Sequence, residues 1–420
     1  MPSPEAAKPD DHETSRLFLA GLVAVTFVMN TVGRGVTETF AVFLLPVEKA
    51  LGASRADMAL TYSIFMLGYA IAAPFAGQLI DRLGARITYA AGLLALGLGY
   101  WLSASATNLW HIYAGIGLLG GLGVAALGMV TASALLSRWF SQRLGTVASL
   151  PYAAVGFGML LIPPAAQLLI DAGGWQSAYR WLGLATLAVI PALFLLPLGR
   201  YSRGSDAWRN ARAERQTSGD SVWTVSTAMR TGAFWALFLV YFMTSVAAYS
   251  VLPHSVAHLV EQGFSPLAAA GAFGMTGMLS TIGIIAIGWL SDRQGRRTAA
   301  TLSYLSTILG ITALIAIAWS PSLLLMYAFV VFFGLMQGAR GPILVALIAK
   351  IFPGGSIGSI FGTLSMALGT GAALGSWASG LLHQMTGSYT ASFTLAIAAA
   401  CIGTLAFWVV PSLRQERVVR

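Results

Sequence analysis

Apolar positions in this chain gather into long blocks separated by short polar intervals. Twelve such runs can be marked, at 17–45, 58–80, 85–105, 109–137, 144–170, 176–199, 232–260, 267–290, 298–319, 323–349, 358–382 and 388–411. A helix needs about 20 apolar residues to cross a bilayer core, and each run is long enough. Each therefore predicts a membrane-spanning α-helix, and they are numbered here as spans 1 to 12.

The polar intervals carry a repeat. Gly77-Gln78-Leu79-Ile80-Asp81-Arg82-Leu83-Gly84-Ala85-Arg86 separates spans 2 and 3, and Gly288-Trp289-Leu290-Ser291-Asp292-Arg293-Gln294-Gly295-Arg296-Arg297 separates spans 8 and 9, 211 residues later. The shared pattern Gly-x-Leu-x-Asp-Arg-x-Gly-x-Arg at matching places predicts a tandem duplication of one membrane bundle. The single long interval, Arg200 to Arg230, carries Arg200, Arg203, Arg209, Arg212, Arg215 and Arg230 and too few apolar residues to build a core. The expected organisation is a tail at 1–16, a six-helix bundle at 17–199, a linker at 200–231, a second six-helix bundle at 232–411 and a tail at 412–420. The fold class is an all-α integral membrane protein.

Composition agrees: 57% of the residues are hydrophobic and 9% charged, against roughly 25% charged in soluble domains. The formal charge of +9 raises nucleic acid as a partner, but the positions of the basic residues argue against it. With both termini cytoplasmic, 19 of the 24 Lys and Arg fall on that side, Lys49, Arg55 and Arg180 outside, and Arg34 and Arg340 within the membrane. This is the asymmetry expected of a membrane protein oriented by its basic loops. Met1 to Ser15 lacks the features of a cleaved signal peptide. The lone cysteine, Cys401, excludes an intrachain disulfide framework and is expected as a small core residue.

Glycine clusters on span 4 (Gly115, Gly117, Gly120, Gly121, Gly123) and span 11 (Gly362, Gly369, Gly371, Gly375, Gly380). Small residues let helix backbones approach closely in lipid, so these predict packing seams. Pro151 and Pro163-Pro164 predict kinks in span 5.

The twelve spans, the basic linker and the doubled loop motif together resemble the major facilitator superfamily of secondary transporters. That resemblance implies two six-helix halves rocking around a central site, with the loop residues Asp81, Arg82, Arg86, Asp292, Arg293 and Arg297 as gating contacts at the cytoplasmic helix ends. Within the superfamily, the N-terminal half is similar to the monocarboxylate transporter family. The likeness rests on Val42-Phe43-Leu44-Leu45-Pro46, on Ile112 to Gly123, and on Arg138-Trp139-Phe140-Ser141-Gln142-Arg143 ahead of Gly174-Trp175. Two departures stand out: where that family typically has an arginine on span 8 and an aspartate a turn earlier, this chain has Ile284 and Ser280, and where members often have a span 1 lysine it has Glu38.

A charge at the bilayer centre costs at least about 2.5–3.5 kcal/mol, so a retained one is paired or faces water. Arg34 and Glu38 are four apart and share a helix face, which allows either an internal ion pair or a cavity lining. In the second case Arg34 takes a substrate carboxylate and Glu38 a proton. Arg340, in Gln337-Gly338-Ala339-Arg340-Gly341-Pro342, has planar donors suited to a carboxylate or else bonds within the helix bundle. His254 and His258 share metal-ligand spacing but lack a third ligand, so no metal is expected, and His254 is a candidate for proton coupling. Asn30, Tyr113, Tyr152, Tyr241, Tyr249 and Gln337 are the uncharged candidates on spans expected to line a cavity. The chain has no Gly-x-x-x-x-Gly-Lys-Ser/Thr motif for ATP and no soluble catalytic constellation, so neither an enzyme nor a cofactor is expected.

The sequence thus predicts a monomeric secondary transporter of the bacterial inner membrane that moves a small organic anion, with a proton, by alternating access. Its substrate site would be Arg34, Arg340, Asn30, Tyr113, Tyr152, Tyr249 and Gln337, with Glu38 and His254 as coupling residues. Two alternatives stay open at this point: an efflux antiporter for an apolar or cationic compound, and a membrane sensor that signals without transport.

Overall fold

The computed structural model describes residues 16–140, 144–206, 208, 223–352 and 357–414, and among these there is no strand. Among the described residues, eight helices are long and apolar enough to cross a membrane. Two of them, Arg55–Ala104 and Leu144–Leu195, each hold two predicted spans and fold back at one non-helical residue, Gly84 (φ 79°) and Gly174 (φ 76°). Span 10 (Leu323–Met336 with Arg340–Ile351) and span 11 (Ile357–Thr386) complete twelve crossings.

The reversals are tighter than the sequence suggests. The stretch between spans 2 and 3 reads as a short loop, yet all but Gly84 keep helical geometry. Only glycine accepts that left-handed φ without a clash between Cβ and the following carbonyl. Gly295 (φ 88°) plays the same part between Pro266–Gln294 and Arg296–Ile317. Pro151, Pro163 and Pro164 sit inside Leu144–Leu195, where Gly174 is the non-helical position, so the prolines do not interrupt the helix.

Several spans are broken inside the membrane. Span 1 divides at Thr39 into Arg16–Glu38 and Phe40–Leu51; the Thr39 hydroxyl donates to the Val36 carbonyl at 2.5 Å. Span 4 contains a π-helical turn at Tyr113–Leu119. There the Ser103 hydroxyl accepts the Ile116 N–H at 3.2 Å, an inserted partner of the kind that widens a helical turn. Span 10 breaks at Gln337–Ala339 around Gly338 (φ 78°).

The glycine seams are packing surfaces. A side chain at Gly115 would run into Gly99 and Ser103, at Gly121 into the backbone of Phe65, and at Gly123 into Gly92. On span 11, Gly369 lies against Ala70, Gly371 against Phe242 and Gly380 against Ala59, whereas Gly362 faces open space. Cys401 is exposed, which corrects its expected place in the core: span 12 turns it outward, and a face toward lipid accepts a small apolar thiol as readily as a core does.

The halves meet along spans 1 and 7, 2 and 11, and 5 and 8. The contact is lopsided. One continuous apolar cluster joins the N-terminal half to that part of the C-terminal half around Val251, Phe273, Leu314, Phe329 and Phe393. The rest of the C-terminal half, around Leu237, Ile287, Ile343, Ile360 and Phe407, forms a separate cluster. Among the described residues the apolar packing therefore fuses the halves at the end opposite the repeated loops.

Ion pairs seal the fused end. Arg55, 6% exposed, contacts Glu48 at 2.6 Å in its own half and Glu261 at 2.7 Å in the other. It also donates to the Tyr389 hydroxyl. That hydroxyl lies 3.3 Å from His254 Nδ1, and His254 Nε2 donates to the Ser376 carbonyl at 3.0 Å. The His383 ring lies tilted against Tyr389 with centroids 4.2 Å apart, and His383 reaches Glu261 at 3.3 Å. Beneath this network the Ser63 hydroxyl donates across the interface to the Ala373 carbonyl at 2.6 Å.

Removing one partner of a buried pair costs roughly 3–5 kcal/mol, so Arg55→Ala is expected to release the fused end. Spin labels at Lys49→Cys and Gln262→Cys, in a Cys401→Ala background, should then show an added, longer distance population. An unchanged distance distribution would mean that the apolar cluster alone holds this end shut.

Candidate functional site

The charged centre sits on span 1. Arg16–Glu38 carries Arg34 and Glu38 one turn apart, and their side chains meet at 2.8 Å. Of the two readings open in the sequence, the ion pair forms, and the two partners differ in access. Glu38 is 2% exposed and Arg34 18%. The second Glu38 oxygen accepts from the Tyr62 hydroxyl at 3.4 Å. Arg34 also donates to the Tyr249 hydroxyl, at 3.4 Å, on span 7 of the other half. The Tyr62 and Tyr249 rings stand 6.0 Å apart, with Phe40 5.2 Å from Tyr62.

This geometry has a chemical consequence. Glu38 is enclosed between Arg34 and Tyr62, while Arg34 keeps part of its fork of donors open where the two halves face each other. A planar guanidinium can hold one carboxylate with one edge and offer the other to a second. Tyr62 and Tyr249 supply hydroxyls and apolar ring faces beside it. The arrangement suits a small anion with some apolar surface.

Arg340 is placed otherwise. It opens the helix Arg340–Ile351 just after the Gly338 break, is 3% exposed, and turns toward span 9 of its own half. There it donates to the Thr307 hydroxyl at 3.0 Å and lies 4.3 Å over the Tyr304 ring. The Tyr304 hydroxyl in turn meets Thr244 at 2.5 Å. A cation over an aromatic face is attracted by the ring quadrupole; with one neutral hydroxyl, this holds the guanidinium without a carboxylate among the described residues. Ile284, where a related arginine is expected, borders Gly338, two residues before Arg340.

The remaining candidates scatter. The Gln337 amide points across the interface to the Met159 sulfur at 3.9 Å, and its oxygen has no partner. Asn30 is buried; its amide nitrogen donates to the Thr26 carbonyl at 2.9 Å, and its oxygen is unpartnered. The Tyr113 hydroxyl donates to the Asp57 carbonyl at 3.1 Å, near the fused end and apart from Arg34. His254 belongs to the fused-end network, and His258 bonds the Leu314 carbonyl at 2.9 Å. Tyr241 is buried with its ring 6.4 Å from Phe361. Tyr152 and Asp292 lie on helices, but their side chains fall outside the described residues.

The repeated loops brace each half from within. Asp81 pairs with Arg138 of span 4 at 2.6 Å, and Arg138 also donates to the Ser202 carbonyl at 2.5 Å. Arg82 is exposed, and Arg86 donates to the Leu196 carbonyl at 3.0 Å while lying 5.6 Å over Phe194. In the second loop Arg293 lies 4.5 Å over Trp289 and Arg297 3.2 Å over Trp408. Tyr62, Arg55, Glu261, Tyr389 and Arg138 were not singled out from the sequence as site residues. Arg138 stood in the motif that carried the family resemblance, and Arg55 showed itself as one of three basic residues at the far ends; the tyrosines gave no signal, since nothing in their spacing tells a lining ring from a packed one.

Comparison with known proteins bears on the class. The family model described as Major Facilitator Superfamily matches residues 23–339 and 282–419. The chain is 28% identical to Monocarboxylate transporter 13 of Rattus norvegicus over 385 residues, which cover 91% of this chain and 86% of that protein. It is 29% identical to the uncharacterized MFS-type transporter YcxA of Bacillus subtilis over 386 residues, 90% of each chain. Among solved structures, the xylose transporter XylE from E. coli in a partially occluded inward-open conformation matches with a TM-score of 0.72 at 15% identity, covering 94% of this chain and 99% of that one. A bacterial homolog of the human lysosomal transporter Spinster, inward-facing and unoccupied, matches with a TM-score of 0.71 at 14% identity, covering 93% and 97%. At that identity the likeness concerns the fold. With twelve crossings in two halves and a family match over nearly the whole length, this chain belongs to the Major Facilitator Superfamily of membrane transporters and is related to the monocarboxylate transporters.

Proposed function

We propose that the protein moves a small organic anion, of the monocarboxylate class, together with a proton, across a bacterial inner membrane by alternating access. The observation that carries this reading is the Arg34–Glu38 pair, whose arginine alone stays partly exposed and touches both halves. The termini and the repeated loops lie on the cytoplasmic side, since the basic residues concentrate there. The protein works as a monomer, with residues 200–231 linking the halves. In this orientation the fused end described above faces the outside.

The coupling follows from charge balance. With Glu38 ionised, Arg34 is already neutralised, and a second anion would bring an uncompensated charge into the membrane. A proton on Glu38 removes that competition and frees Arg34 for the substrate carboxylate. One proton and one monoanion then enter together, and the loaded site carries no more charge than the empty one. Arg340, held on Tyr304 beside the span 10 break, adds positive potential from the second half. It stands near the place where related transporters keep an arginine on span 8. Glu38 is covered by Arg34 and Tyr62, which leaves an organic cation no free carboxylate and disfavours the antiporter reading.

Hydrogen bonds to charged groups are worth about 1.5–3 kcal/mol. Arg34→Ala is therefore expected to lower substrate affinity by roughly ten- to hundredfold, measured as initial uptake into proteoliposomes for a panel of organic acids. If Arg34→Ala and Arg340→Ala both leave uptake intact, the anion site lies elsewhere.

Glu38→Gln separates binding from coupling. Exchange of labelled for unlabelled substrate should persist, because the glutamine leaves Arg34 free, while accumulation driven by an imposed pH gradient should vanish. Retained gradient-driven accumulation in this variant would remove Glu38 from the coupling step.

A further inference from the structure

At the loop end of the N-terminal half lies a cleft of about 310 Å³ lined by Asp81, Arg82, Arg86, Arg138, Ser202 and Arg203. Four arginines and one aspartate thus meet in one concavity. Two of the arginines are engaged: Arg138 with Asp81, and Arg86 with the Leu196 carbonyl. Arg82 and Arg203 are exposed, and neither makes an ion pair among the described residues. The cleft therefore holds an excess of positive charge with two guanidinium groups uncommitted.

Its rim is apolar and exposed. Leu83 is 52%, Ile87 49%, Phe194 63% and Leu195 88% exposed. In a membrane-spanning chain such a strip belongs against acyl chains, so the basic cleft opens where hydrocarbon gives way to headgroups. Basic pockets between helices at that depth bind anionic headgroups, and a guanidinium matches phosphate oxygens in a two-pronged contact. The ordering of the cleft also suits a ligand: the Ser202 hydroxyl accepts the Ala85 N–H at 2.8 Å and donates to the Leu198 carbonyl at 2.9 Å, which fixes its floor.

We propose that this cleft binds the phosphate of an anionic phospholipid from the adjacent leaflet, with Arg82 and Arg203 as the phosphate contacts and the Leu83, Ile87 and Phe194 rim against the acyl chains. The bound headgroup would tie the hairpin between spans 2 and 3 to the helix Leu198–Arg203. It is independent of the substrate reading, since none of its residues belongs to the Arg34 site.

The test uses the purified full-length chain in neutral detergent, with thermal unfolding followed as lipid is added. A ligand that binds the native state alone raises its melting temperature. Phosphatidylglycerol is expected to raise Tm by about 2 °C or more, with the response shrinking in high salt as exposed charges are screened, and phosphatidylcholine to give little. The double variant Arg82→Gln, Arg203→Gln should lose most of the phosphatidylglycerol response, and Arg82→Lys, Arg203→Lys should keep part of it, which controls for misfolding. An equal rise with phosphatidylcholine, or a full response in the glutamine variant, overturns the proposal. So does an equal rise with glycerol 3-phosphate, which would make the cleft a site for soluble phosphate esters.

Discussion

The structure depends on one constraint: a charge kept within a bilayer must find its counter-charge inside the protein or face water. Arg340 is the exception, held by the Tyr304 ring and the Thr307 hydroxyl; elsewhere this chain meets the constraint in three layers. At the fused end Arg55 is shared between Glu48 and Glu261. In the middle Arg34 is held by Glu38 and Tyr249, and at the loop end Asp81 is held by Arg138. The pairs differ in whether they cross between halves. The first does so with full charges and the second only through a tyrosine hydroxyl. The third stays within one half.

That gradient matches the apolar packing. The cluster common to both halves lies where the ionic bridge is strongest, and the separate C-terminal cluster lies toward the loops. Small residues make the shared seam possible: Gly156 lies against Gly277 and Gly380 against Ala59, so backbones approach where side chains would hold them apart. Among the described residues the ion pair that crosses between the halves, Arg55 with Glu261, sits at that same end.

Most of the architecture was legible in the sequence. Membrane helices announce themselves through run length, and the doubled loop motif exposed the two halves. What could not be read were the interruptions: single-residue reversals at Gly84 and Gly174, the π-turn at Tyr113–Leu119, and the break at Gly338. Each depends on a partner distant in sequence or on a backbone angle that many glycines never adopt. The site divided along the same line. Arg34 and Glu38 were visible because charge in an apolar run is conspicuous and their spacing is local. Tyr62 and Tyr249 were harder to rank, since one tyrosine among thirteen carries no mark of where its ring points. Arg340 was just as conspicuous, yet its surroundings, Tyr304 and Thr307 on span 9, come from a different part of the chain.

The two copies of the loop motif, alike in sequence, meet different neighbours among the described residues. The first rests on an aspartate–arginine pair whose aspartate is half exposed, an attraction that dissolved ions weaken. The second sets its arginines on the indole rings of Trp289 and Trp408, where the attraction comes from the ring quadrupole and is accompanied by apolar contact. Ionic strength on the loop side therefore acts on the attachment of the first hairpin to span 4 through Asp81 and Arg138, while ring faces hold Arg86 in the first hairpin and Arg293 and Arg297 in the second.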